Sequence, residues 1–322
     1  MESFLLETAV ALVSGYLLGS WMKGYFRNAG LVGRDLHKEG HPELPTSAGI
    51  PAFLAFYFAS MAYIFLKTYI FGDYDELLGV VASILTIMFV TLVGFLDDVN
   101  TAKGKRIGLK QWQKPLLCLP AALPLAALRM GVSSMTLPLV GTVSFGLLYP
   151  LLIVPVAIVG ASNMVNLLAG LNGLESGMGI IYLSSLSLYA YFHSNLAAKV
   201  IAFAALGAVA GVFLLNRYPS KLLPGDSFTY FLGAVLGTIA VVGNMEKPAL
   251  IASAPFLIEG LLKARGGFKK PTVGYVENGK IYKHEGIYSL PHLFMNGKYT
   301  EKQVVEFMWA ISAFFSILLW LV

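Results

Sequence analysis

Charge is scarce in this chain. Only 13% of its 322 residues are Asp, Glu, Lys or Arg, while 57% are hydrophobic. Soluble domains carry about 25% charged residues, so a water-soluble globular protein is excluded. Cysteine is nearly absent as well. Cys118 stands alone in an apolar run, which rules out a disulfide framework and fits a small buried hydrophobe. The five histidines are scattered, and none has zinc-ligand spacing. No internal repeat or low-complexity segment is present. Residues 1–22 contain acidic Glu2 and Glu7 and lack a basic leading region. They are expected to form a first membrane helix rather than a cleaved signal. The net charge of +5 would suit nucleic acid by its sum alone, but the placement of the charges argues for a membrane protein instead.

What the chain has in abundance is apolar runs. Ten segments approach the length that crosses ~30 Å of hydrocarbon. They lie near residues 3–22, 48–71, 77–96, 114–130, 146–162, 167–191, 197–215, 227–243, 248–263 and 303–322. The fourth and fifth are interrupted by Pro115, Pro120, Pro124, Pro150 and Pro155. The expected architecture is an all-α integral membrane protein, one polytopic domain over 1–322 with about ten transmembrane helices. Connections after the odd-numbered segments hold 19 of the 23 Lys and Arg. The other side keeps Lys67, Arg129, Lys199 and Lys247. The positive-inside rule then places the basic connections in the cytoplasm and both termini outside. The connection 264–302 is too long to be structureless. Its alternating residues 272–276 and the Asn278-Gly279 pair predict a β-hairpin, within a small cytoplasmic subdomain between helices 9 and 10.

Nearly all the polar motifs fall on that basic side. Residues 163–177 carry three Asn, three Gly, a Glu and a Ser within an apolar sequence. Lipid tails cannot hydrogen-bond an amide, so such a run faces water, protein or a ligand. Small residues with Asn also glue membrane helices together, and that alternative stands. Asp97 and Asp98 end the third segment, where acidic residues oppose the helix dipole and invite a cation. Asp226 opens the eighth, where it would serve equally as an N-cap. With Asn166, these oxygen donors suit Mg2+, which keeps waters and favours carboxylates plus phosphate oxygens. Lys114 sits at the membrane edge of the fourth segment, either as a snorkelling anchor or as a phosphate contact. A hard-cation site on a basic membrane face points to a phosphorylated substrate and a lipid co-substrate.

The combination resembles the polyprenyl-phosphate N-acetylhexosamine-1-phosphate transferases, in their eukaryotic and archaeal dolichyl-phosphate branch. The matching residues are Gly94-Phe95-Leu96-Asp97-Asp98-Val99, the run 163–175 ending Ala169-Gly170-Leu171-Asn172-Gly173-Leu174-Glu175, and Gly225-Asp226-Ser227-Phe228-Thr229-Tyr230-Phe231. Arg34-Asp35-Leu36 and Pro45-Thr46-Ser47-Ala48-Gly49 match the family's first cytoplasmic loop. The likeness runs from about residue 30 to residue 262. It implies that GlcNAc-1-phosphate passes from UDP-GlcNAc to dolichyl or another polyprenyl phosphate, releasing UMP, as the first step of N-glycan precursor assembly. It implies Asn166 and Asp226 as ligands of Mg2+, with Mn2+ as the alternative ion, and Lys114 on the diphosphate. Asp97 and Asp98 would position or deprotonate the lipid phosphate. Gly170, Asn172 and Leu223 would line the uridine pocket, with Asn163 and Thr46 as further substrate contacts. A homodimer is a further implication, as is a cytoplasmic active site in an archaeal cell membrane or the endoplasmic reticulum.

Two features depart from the branch. Its arginine- and histidine-rich sugar-binding run is replaced here by 286–292, in which His292 is the remaining candidate sugar contact. Arg265, Lys269 and His284 are substitutes for it, or solvated loop charges. Thr46 stands where the branch carries Glu. The amino sugar is therefore left open between GlcNAc and another UDP-N-acetylhexosamine. A transporter also fits ten interrupted helices with polar residues, although the motifs gather at one membrane face rather than at the midplane.

Overall fold

The computed structural model describes residues 2–102, 108–137 and 141–322. The basic residues Lys103, Lys105 and Arg106 lie outside the described residues. The chain is mostly helical: α1 (Glu2–Asn28), α2 (Gly49–Phe65), α3 (Leu77–Ala102), α4 (Gln113–Cys118), α5 (Leu123–Ala127) and α6 (Val154–Leu167) come first. They are followed by α7 (Leu174–His193), α8 (Leu196–Asn216), α9 (Gly225–Val242), α10 (Glu246–Ala252), α11 (Ala254–Arg265) and α12 (Glu301–Leu318). Among the described residues, seven helical stretches are long and apolar enough to cross a membrane: Ser3–Asn28, Gly49–Ile70, Leu77–Ala102, Tyr149–Leu167, Leu196–Asn216, Gly225–Val242 and Glu301–Leu321.

The other three expected spans differ from a plain helix. Residues 113–127 form two short helices joined by a 3-10 turn that carries Pro120. Residues 246–265 break at Ser253, just before Pro255. Proline lacks the N–H that a continuous α-helix needs at such positions. The third starts at Leu174 rather than at residue 167, because 168–173 is a loop in which Gly170 and Gly173 have positive φ.

Helix α9 is the centre of the bundle. Every residue from Ser227 to Val242 is buried, the signature of a helix that is apolar on all sides. Helices α2, α3, α6 and α8 surround it. Close approach is bought with glycine: a Cβ on Gly94 of α3 would meet the carbonyl oxygen of Asp226 at 2.5 Å, and one on Gly49 of α2 would meet the backbone of Ser227. Small residues permit such contact where no hydrophobic force between helices operates.

Three two-stranded antiparallel hairpins complete the described residues: β1 (Val32–Arg34) with β2 (Glu43–Pro45), β3 (Ser134–Leu137) with β4 (Gly141–Ser144), and β5 (Tyr275–Glu277) with β6 (Lys280–Tyr282). The last is the hairpin expected from the Asn-Gly pair, and the other two were not foreseen. Asn278 and Gly279 have φ of 51° and 72°, as a two-residue type I′ turn requires. Tyr275 pairs with Tyr282 and their rings stack 5.3 Å apart. Thr300 caps α12 through a reciprocal bond set with Gln303, and Asn195 caps α8 by accepting from the N–H of Ala198.

Candidate active site

The polar centre is built from helix ends. Asp97 and Asp98 lie near the C-terminal end of α3, Asn166 near that of α6, Asp226 in the first turn of α9 and Lys114 in the first turn of α4. Asp98 anchors the set. Its Oδ1 accepts the backbone N–H of Asp226 at 2.6 Å and its Oδ2 that of Ser227 at 3.1 Å. It is thus a cap for α9 supplied by another helix, satisfying two of the donors that every helix start leaves free. Gly225 permits this: its φ is +68°, and a Cβ there would meet Asp98 Oδ2 at 2.5 Å.

Asp97 and Asp226 share one ammonium. Lys114 Nζ donates to Asp97 Oδ2 at 3.0 Å and also to Asp226 Oδ2. Asp97 Oδ1 accepts the Leu109 N–H. Asn166 Nδ2 donates to Asp226 Oδ2 at 3.2 Å, and Asn166 Oδ1 accepts from the Thr229 hydroxyl at 2.7 Å. The three side chains are largely shielded, with exposures of 10% for Asp97, 17% for Lys114 and 26% for Asp226. Two carboxylates against one ammonium leave an excess of negative charge at this point, which favours a further cation.

Among the described residues, no three His, Cys, Asp or Glu side chains gather into a metal cage. The donors at the centre are nevertheless hard oxygens: Asp97, Asp226 and, with its amide turned, Asn166. They fit an ion such as Mg2+ that completes its shell with water and substrate phosphates. The Lys114 ammonium marks the point where positive charge is wanted.

Beside the centre lies a cavity of about 320 Å³. Asn166, Asp226, Gly170, Asn172, Leu223 and Thr46 all line it. Gly170 has φ +117°, and Val273 packs so closely that a Cβ would meet its Cγ1 at 2.8 Å. Two expected residues lie elsewhere. Asn163 is spent within the helices, accepting from the Tyr230 hydroxyl at 2.9 Å and donating to the Val159 carbonyl at 2.8 Å. His292 lines a separate cavity of about 470 Å³ with Lys270, Lys283 and His284. Its Nδ1 accepts the Tyr288 N–H, and its Nε2 lies 3.1 Å from the Thr272 carbonyl. Burial pushes its pKa below the ordinary histidine value, and the charges of Lys263, Lys283 and His284 add to that effect, while the Thr272 bond opposes it.

Several further residues of the first cavity escaped the sequence reading, among them Asp35, Glu175, Arg34 and Val273. Asp35 accepts from Asn172 Nδ2 at 2.8 Å, and Glu175 accepts the Gly170 N–H at 2.7 Å. Arg34 and Val273 also line it. Arg34, Asp35 and Glu175 lay inside recognisable motifs, so a signal existed for them. Val273 sits in an unremarkable loop and carried none. An apolar groove of about 380 Å³ runs between α6, α9, α10 and α11, past Met164 and Val165. Val156 and Leu250, both more than half exposed, open it to the outside of the bundle.

The structure thus describes a polytopic helical protein with a carboxylate–lysine–amide centre at one end of its bundle, beside a polar cavity, and with an apolar groove along α6 and α9–α11. Residues 80–244 match the family described as glycosyl transferase family 4, and the chain belongs to that family. A protein of Saccharolobus solfataricus, provisionally named UDP-N-acetylglucosamine–dolichyl-phosphate N-acetylglucosaminephosphotransferase, is 31% identical over 98% of this chain and 95% of its own length. A Sulfolobus acidocaldarius protein of the same provisional name is 28% identical over 98% and 94%. A phospho-N-acetylmuramoyl-pentapeptide-transferase of Streptococcus thermophilus is 28% identical over 92% and 91%.

Proposed function

We propose that the protein transfers GlcNAc-1-phosphate from UDP-GlcNAc to dolichyl or a related polyprenyl phosphate, releasing UMP. The observation that carries this reading is the convergence on Asp226 of Lys114 and Asn166, with Asp97 on the same ammonium, beside a polar cavity that Asn166 and Asp226 line. The family and the names of the two archaeal relatives support it.

In this reading an oxygen of the lipid phosphate attacks the phosphorus that bears the sugar. A new P–O bond forms, the bond from that phosphorus to the bridging oxygen breaks, and the electron pair leaves with UMP. A lipid phosphate with a second pKa near ~6 is mostly ionised at neutral pH, so a strong base is not required. Catalysis reduces to alignment and charge neutralisation. Lys114 supplies positive charge to the diphosphate. Asp97 orients Lys114 and faces the acceptor phosphate. Asp98 holds the α9 N-terminus, whose dipole favours negative charge nearby. Asn166 and Asp226 would hold Mg2+, which would offset the negative charge of the diphosphate. Gly170, Asn172, Leu223 and Thr46 form the wall for the nucleotide, and the groove past Val165 takes the first part of the lipid chain.

The same reading gives the membrane arrangement. The broken stretches 113–127 and 246–265 and helix α7 add three passes to the seven long spans. The centre then faces the cytoplasm, with both termini outside, as the Lys and Arg distribution favours. The test is UMP formation by purified protein from UDP-GlcNAc and dolichyl phosphate, with and without Mg2+. Release of UMP that stops on chelation and resumes with Mg2+ is expected, with a product mass of GlcNAc-diphosphodolichol. A product carrying a different amino sugar would revise the donor. Absence of UMP release, with saturable uptake of intact solute into liposomes, would replace the enzyme by a transporter.

A further inference from the structure

Besides the start of α9 and Asn166, the walls of the polar cavity come from three distant parts of the chain: the loop between α1 and α2, the loop 168–173, and the segment 264–302. One buried carboxylate ties all three and does not line the cavity. Glu301, the first residue of α12, is 4% exposed. Its Oε1 accepts the backbone N–H of Asn172 at 2.8 Å, and its Oε2 accepts from Lys38 Nζ. The His37 ring is fully buried beside it, with Nδ1 3.6 Å from Glu301 Oε1. His37 Nε2 accepts the Gly274 N–H at 3.1 Å. A neutral imidazole that accepts at Nε2 carries its proton on Nδ1, which here faces the carboxylate.

The consequences reach the ligand wall from both sides. Asp35 takes the Asn172 side-chain N–H at 2.8 Å, which leaves the Asn172 carbonyl Oδ1 as the acceptor open to a ligand. Gly274 follows Val273, the residue that packs on Gly170. The same carboxylate therefore governs where Asn172 stands and, through His37, where Val273 stands. Lys38 braces it from the far side while lying 3.9 Å from the centre of the Tyr218 ring.

We propose that Glu301 is a positioning residue for donor binding: it fixes Asn172 and fastens the 264–302 segment over the cavity without touching the donor. This rests on the reading of that cavity as the nucleotide-sugar site. The test uses full-length protein in detergent, comparing the unmutated chain with Glu301→Gln and Glu301→Ala. UDP affinity is measured by calorimetry, and kcat and KM for UDP-GlcNAc and dolichyl phosphate by UMP release. Gln keeps an acceptor for Asn172 and loses the charge facing Lys38 and His37. In Glu301→Ala, UDP Kd and donor KM should rise about tenfold, the scale of one charge-assisted hydrogen bond. Glu301→Gln should show a smaller rise, and kcat and acceptor KM should hold in both. If the Ala variant does not fold, the Gln variant carries the test alone. Unchanged UDP Kd overturns the proposal, as does a fall in kcat at constant donor KM. Failure of the unmutated protein to bind UDP removes the cavity assignment itself, and that result is seen before any substitution is made.

Discussion

Two polar cavities open at the same end of this bundle, and they are made differently. The first is walled partly by helix ends and adjoins the carboxylate–lysine centre, whose charged groups are held by other charged groups or by backbone N–H donors. Asp98 is fixed by two amides of α9, Asp97 by Lys114 and Leu109, and Asp226 by Lys114 and Asn166. The second belongs to the loop 264–302. Its histidine uses both ring nitrogens to hold the loop itself together. Preorganised charge on rigid elements suits transition-state stabilisation. A histidine kept neutral by burial and bonded to its own loop suits folding. Similar residue types thus serve opposite ends according to what fixes them.

Substitutions that separate the two cavities have a clear order of size. Asp226→Asn strikes the centre where Lys114 and Asn166 meet. Its turnover should fall by about 10²–10³, the range for losing a preorganised electrostatic group, and its Mg2+ titration should shift to higher concentration. An unchanged Mg2+ titration would remove the ligand role. Asp97→Asn should lower kcat by a similar or somewhat smaller factor while UDP affinity holds. Near-normal turnover with dolichyl phosphate would take Asp97 out of the chemistry. Asp98→Ala removes the cap of α9 and should cost about 1–2 kcal/mol of stability, read as a lower unfolding temperature together with reduced activity. A variant as stable as the parent would contradict the capping role.

The second cavity should respond least. His292→Gln is expected to leave turnover and both KM values close to the parent. The pKa of His292 is lowered in the folded protein, so an unfolded chain takes up a proton at that residue first as pH falls below ~6.5. The stability that His292 contributes is present above that pH and is lost on acidification. The parent should therefore lose more unfolding temperature between neutral pH and pH ~5.5 than the Gln variant. Equal losses would show that other groups govern the acid response, and a strong rise in donor KM would make the second cavity part of the first.

Much of this was legible in the residues themselves. The apolar runs located the helices, and Asn278-Gly279 located the hairpin turn, because both signals are local. The group at 97, 114, 166 and 226 was legible as a set of motifs, and the structure brings those four side chains into contact. The breaks at 119–122 and Ser253 depended on which prolines neighbouring helices could accommodate, a matter of packing. Asn163 and Asn166 illustrate the limit. They are one turn apart in one motif, yet one faces Tyr230 and the other Asp226, a difference decided by the register of α6 against α9. Glu301 and Val273 were out of reach altogether, since their partners lie more than 100 residues away and their own surroundings are ordinary.

The apolar groove between α6 and α9–α11 opens sideways, with Val156 and Leu250 at its rim. At about 380 Å³ it has room for only the head-proximal stretch of a polyisoprenoid. A guest arriving laterally need never quit the bilayer, and the remainder of its tail stays dissolved among neighbouring acyl chains. In the proposed reading tail length then becomes a bystander, and the phosphate end of the acceptor alone is recognised.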